Sequence, residues 1–152
     1  MRPTTRAVSA AVLLAVTAGC TGDDGAPDLA AAPGGSSQAC AGVVDRAPQT
    51  VLDRTRTTPQ AVGVAAWGDP PIVLQCGVDV PDGPTSDPCI TVDGVDWTIA
   101  DPDAEDRAAT YVSYGRDPAV RVTVPGDRGE ASGALVDLAA AVSPLPATKK
   151  CQ

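Results

Sequence analysis

The sequence predicts an α+β fold: a small antiparallel sheet of about six strands, with an N-terminal and a C-terminal helix packed on it. Three observations predict it. Short β-type runs follow one another between residues 62 and 124. Gly, Pro and Asp clusters of the kind that force turns separate them. Helical periodicity is confined to the two ends of the chain's structured part. Strands segregated from helices in this way define the α+β class.

Each element follows from local signals. Ser36 or Ser37 can cap a helix running to about Ala47, in which Cys40, Val43, Val44 and Ala47 recur at helical spacing and Pro48 ends the run. Residues 50–60 carry Arg54, Arg56, several threonines and Pro59, and read as loop with one short extended piece. Residues 62–67 (VGVAAW) and 72–78 (IVLQCGV) read as strands, joined by the turn Gly68-Asp69-Pro70-Pro71. A turn-rich loop covers 81–88. Residues 90–92 and 95–99 flank Asp93-Gly94, and Asp-Gly between two β-type runs is the strongest short hairpin signal. An acidic loop, 101–107, follows. Residues 110–114 and 119–124 make a third pair of strands. There Val120, Val122 and Val124 alternate with Arg121 and Thr123, so one face is wet. Ser132 caps a second helix over 133–142, with Leu135, Leu138, Ala139 and Val142 as its apolar stripe and Pro144 and Pro146 beyond it.

Upstream, Arg2 and Arg6 precede an eleven-residue apolar run, AVSAAVLLAVT, at 7–17. A bilayer span needs about 20 apolar residues, so this run suits the core of a secretory signal. Ala18-Gly19-Cys20 then resembles a bacterial lipobox, with Thr17 where Leu or Val is commonest. That resemblance implies cleavage before Cys20 and a diacylglycerol on its thiol. The expected organisation is a signal peptide at 1–19, a flexible linker at 20–37 behind the lipidated Cys20, and a single α+β domain at 38–152. The linker reading rests on its Gly, Ala, Asp and Pro content and its lack of periodicity. The expected location is the outer face of the cell membrane.

Composition narrows the function. The formal charge is −8, and loss of Arg2 and Arg6 takes it to −10. A net acidic surface argues against nucleic acid and against adhesion to anionic headgroups. The chain has no Phe and no His, so core volume comes from Val, Ala, Leu and Ile with Trp67, Trp97, Tyr111 and Tyr114. A core of this kind is helped by covalent staples. Cys40, Cys76, Cys89 and Cys151 are an even set outside the cytoplasm and read as two disulfides. The residues alone leave the pairing open, and Cys76–Cys89 with Cys40–Cys151 is as sensible as any other. A zinc site is disfavoured because C-x-x-C spacing and histidine are both missing.

Residues 66–78, AWGDPPIVLQCGV, carry a specific resemblance. They resemble the recurring A-W-G-[DN]-P-P-hydrophobic-V-L-R-C-G-V segment of DUF3515, a family of actinobacterial secreted and lipid-anchored proteins of unknown function. Gln75 stands where that segment usually has arginine. Cys40 in the first helix, VDGVDW at 92–97 and Tyr114-Gly115-Arg116 agree with further family segments, so the similarity runs from about Cys40 to Pro146. The resemblance implies a Cys40–Cys76 bridge, which leaves Cys89–Cys151 as an extra one. It also implies an envelope setting, because members tend to be encoded near cell-wall precursor genes. It names no activity.

Trp67, Asp69 and Arg116 are the candidate binding surface: an aromatic, a carboxylate on a rigid turn and a cation. Trp67 and Trp97 each have a structural reading as well, since tryptophan fills a large share of a Phe-free core. Asp101, Asp103, Glu105 and Asp106 crowd oxygen ligands together, but Pro102 breaks the EF-hand pattern and no glycine sits at its sixth position. Without histidine there is no Ser-His or Cys-His pair, and Glu105 and Glu130, both expected in loops, single out no carboxylate pair. The expected function is therefore a non-catalytic binding module of the envelope, without metal or cofactor, that takes an unknown protein or envelope component and meets the membrane through its anchor. A structural accessory and an aspartate-based hydrolase are the alternatives. The anchor is directly testable: Cys20→Ser should abolish metabolic palmitate labelling, and labelling that persists would refute the lipobox reading.

Overall fold

The computed structural model describes residues 29–59, 61–80, 88–100, 108–126 and 128–151. Along the chain come α1 (Gln38–Arg46), β1 (Thr50–Val51), β2 (Arg54–Thr57), β3 (Val64–Trp67), β4 (Ile72–Val78), β5 (Cys89–Val92), β6 (Val95–Ile99), β7 (Ala108–Ser113), β8 (Ala119–Pro125) and α2 (Arg128–Val142). The strands form one sheet in the order β1-β2-β3-β4-β8-β7-β6-β5. Every pairing is antiparallel. Two meanders, β1–β4 and β5–β8, therefore meet at the central β4–β8 pair.

The sheet has eight strands and not about six. The additional strands, β1 and β2, lie in the stretch expected to be mostly loop. Their hairpin turns on Leu52 and Asp53, with φ of 47° and 59°. Neither residue is a glycine, so the usual turn signal is missing. The support comes from α2. Asp137 Oδ2 accepts from the Leu52 N–H at 2.9 Å across 85 positions of sequence. Gly133 leaves room for Leu52, whose Cδ2 would lie 2.7 Å from an added Cβ. By contrast, Asp93-Gly94 forms the expected hairpin, with Val92 opposite Val95.

Both helices have identifiable ends. Ser37 caps α1, its hydroxyl accepting from Cys40 N at 3.2 Å. At the other end Arg56 donates to the carbonyls of Val44 (2.8 Å) and Ala47 (3.0 Å). A cation there satisfies orphan carbonyls and complements the negative end of the helix dipole. Helix α2 begins at Arg128, ahead of the expected start, and Glu130 is in its first turn instead of a loop. Ser132 is internal, and its hydroxyl donates to Gly129 O at 2.9 Å. The first turn is rich in small residues and has no apolar stripe to reveal it. Ala131 and Ala134 are nevertheless fully buried.

Strand alternation divides the sheet into two faces. Ala65 and Trp67 of β3, Ile72, Leu74 and Cys76 of β4, Trp97 of β6, Tyr111 of β7 and the three valines of β8 join both helices in the main core. The opposite face carries two smaller apolar clusters, Val64–Ala66–Val73 and Val78–Val112–Ala119, with no helix residue in either.

Residues 29–35, within the expected linker, are folded onto that second face. Ala32 packs against Val78, Val112 and Ala119. Gln75 Nε2 donates to Ala30 O at 2.9 Å, and Gly34 N donates to Gly77 O at 2.8 Å. The chain then passes Gly63 and turns into α1 on the other face, where Cys40 is bonded to Cys76. A segment of small residues reads as linker because it has little apolar side-chain area to bury. Here close backbone contact adds to what Ala32 supplies.

Gly77 makes that contact possible. Its φ is +85°, and an added Cβ would lie 2.2 Å from Gly34 C. Gly77→Ala combines left-handed strain of roughly 1–2 kcal/mol with overpacking of roughly 1–3 kcal/mol. Urea denaturation should show a loss of roughly 2–5 kcal/mol by that reckoning, and a variant as stable as the parent would contradict the close approach.

Candidate functional site

The Trp-Gly-Asp-Pro-Pro turn joins β3 to β4 at one end of the sheet. Trp67 ends β3 with no exposed surface, and its Nε1 donates to Pro48 O at 2.9 Å. Gly68 has φ +75° and lies against the Arg54 side chain, 2.8 Å from Cδ if given a Cβ. Arg54 donates to Pro70 O at 3.0 Å and stands 3.9 Å from the Glu130 carboxylate at the start of α2. That pair is half open to water and adds little stability. Asp69 is exposed, at a cis Asp69-Pro70 bond. Trp67 thus anchors the turn from below, and Asp69 and Pro70 are its exposed members.

Arg116 is a tie inside the molecule. It is 8% exposed. Nη1 donates to Ser143 O at 2.7 Å and to Leu145 O, and Nη2 donates to Gly94 O at 3.0 Å. It thereby joins the β5–β6 turn to the segment after α2. Residue 147 extends the same junction through an antiparallel bridge with Arg116. Of the three residues expected to share a binding surface, Trp67 and Arg116 are turned inward and Asp69 alone faces out.

Trp97 is also fully buried, and its Nε1 has no hydrogen-bond partner among the described residues. Next to it, Asp96 accepts from the Thr91 hydroxyl at 2.6 Å and from Cys151 N at 2.9 Å. Cys151 is bonded to Cys89, so the tail is fastened to the edge strand β5. The pairs Cys40–Cys76 and Cys89–Cys151 are the ones the resemblance implies. Tyr111 faces the core beside Arg128. Burial pushes its phenol pKa up, and the arginine partly offsets this.

A concave surface lies where the sequence suggested no site. A groove of about 530 Å³ separates α1 from the β2–β3 connection. Ala41, Val44, Pro59 and Val62 supply apolar walls, and Asp45, Gln49, Thr57 and Thr58 supply polar groups. Arg56 lines its floor with its guanidinium committed to the α1 carbonyls. Val62 stands 60% exposed at the rim. Such a groove is invisible to motif reading because its walls come from a helix and a connection that share no pattern. A smaller cleft of about 230 Å³ lies beside residues 31–33, with Gln75, Asp79 and Arg121 in its lining.

Among the described residues no group of three or more His, Cys, Asp or Glu is placed to hold a metal. No described helix is long and apolar enough to cross a membrane. Cys20 and the acidic run 101–107 lie outside the described residues.

A family model described as a protein of unknown function, DUF3515, matches residues 4–150. No curated protein and no solved structure matches the chain.

The Arg116 tie predicts a specific loss. Arg116→Lys keeps the charge but cannot reach three carbonyls from a single ammonium. It should cost about 1–3 kcal/mol in thermal or urea unfolding, since buried carbonyls are left unpaired. Hydrogen exchange should rise at Thr148 N, which donates to Gly115 O. Unchanged exchange there would show that the tail holds without the guanidinium.

Proposed function

This chain belongs to the DUF3515 family, and from that premise we propose a lipid-anchored protein of the cell envelope whose domain binds a partner and carries out no chemistry of its own. The anchor is Cys20, on the strength of its signal-like leader and the small residues before it. Two disulfides fit an oxidising compartment outside the cytoplasm.

The observation that carries the binding reading is the groove beside α1. It sets apolar walls beside about as much polar surface in one concavity, which suits recognition of a segment with both characters. Its described lining offers one carboxylate, Asp45, and no second one with which to share acid–base work. Asp45 and Gln49 can set the orientation of a bound segment, and Val62 offers it an apolar contact at the rim. Asp69, on the outward Trp-Gly-Asp-Pro-Pro turn, is a second, smaller polar contact.

In-cell photo-cross-linking from position 62 should capture one discrete envelope component, and the same probe at Val136, exposed on α2, should not. Asp45→Ala should weaken that capture by about fivefold or more, the effect of losing one interface contact worth ~1 kcal/mol. Identical captures from positions 62 and 136, or a capture indifferent to Asp45, would defeat the groove as the binding surface.

A further inference from the structure

We infer that the domain, held by the lipid anchor proposed above, turns the helix-free face of its sheet toward the membrane. The inference rests on that anchor and adds an orientation to it.

The first argument is where the chain leaves the domain. Residues 29–35 lie on the helix-free face, with Ala30 held by Gln75 and Ala32 packed on Val78, Val112 and Ala119. Gln75 is on β4, which with β8 forms the middle of the eight-stranded sheet. The tether therefore departs near the centre of one face.

The second argument is length. Residues 21–28 separate Cys20 from Leu29. Fully extended, those nine steps reach about 30 Å. A flexible chain of nine steps has a root-mean-square span of about 17 Å. From Gln75, a path over the strand ends to the outer surface of the helix layer runs about 10 Å along the strand, about 10 Å between layers and about 5 Å more to the helix surface. A path over the nearer sheet edge, β1, crosses three strand spacings and totals roughly 29 Å. A relaxed tether covers neither path, and only a nearly taut one reaches. Presenting the helix-free face requires no stretching.

The same face presents Thr55 of β2, Thr110 of β7, and Arg121 and Thr123 of β8.

The lipid-modified chain, reconstituted in phosphatidylglycerol–phosphatidylcholine vesicles, tests this. All four domain cysteines are in disulfides, so an introduced thiol can be labelled with a fluorophore without reduction. Quenching by a headgroup nitroxide lipid should remove most of the emission from Arg121→Cys and leave Val136→Cys on α2 nearly unchanged. Thr55→Cys, exposed on the same face as Arg121, repeats the measurement if labelling at 121 perturbs the fold. Vesicle-bound protein quenched equally at both sites, or more at 136, overturns the orientation alone. Protein that does not sediment with the vesicles overturns the anchor and the orientation with it.

Discussion

The fold depends on backbone meeting backbone. The chain crosses from the helix-free face of the sheet to the helix face at Gly34–Gly35, passing over Gly77 and Gly63 at distances that admit no side chain. Both Gly63 and Gly77 also need a left-handed φ. A few residues later the Cys40–Cys76 disulfide fastens the start of α1 to the strand just crossed. The crossing sets the position of α1, and α1 with α2 closes the core. A disulfide of this span contributes about 2–4 kcal/mol, which matters in a chain without phenylalanine.

The rest of the molecule is held by a repeated device. Arginines close backbone that the helices and turns leave open. Arg56 serves the end of α1, Arg54 the Pro70 carbonyl, and Arg116 the segment after α2. Each guanidinium offers several donors in a fixed fork, so one side chain can satisfy two or three carbonyls. In a small domain whose apolar side chains are mostly Val and Ala, these ties supply geometry that bulkier packing supplies elsewhere.

Local signals made part of this legible in the sequence. The Ser37 cap, the Asp93-Gly94 hairpin and the valine alternation of β8 are decided within a few residues, and each is where it was expected. The β1–β2 hairpin is not local. Its turn uses Leu52 and Asp53, which tolerate a left-handed φ there because Asp137 and Gly133 receive them from a helix far along the chain. The segment 29–35 was unreadable for the opposite reason: glycine composition looks alike whether it serves freedom or close contact. Asp69 kept its surface position. Trp67 and Arg116 did not, because neither a tryptophan beside a Gly-Asp-Pro-Pro turn nor an arginine after a glycine reveals which carbonyls will surround it.

The Cys40–Cys76 bond also fixes how the domain bears load. Tension entering from the N-terminal side and leaving beyond Cys76 passes from Cys40 directly to Cys76. Everything between is a closed loop outside the line of force, and that loop holds β1, β2, β3 and the whole lining of the groove beside α1. A pull on the leading segment can peel residues 29–39 from the sheet and then meets a covalent bond on its central strand. The groove would keep its shape while the protein is under strain, a mechanical insulation that hydrogen bonds alone could not provide.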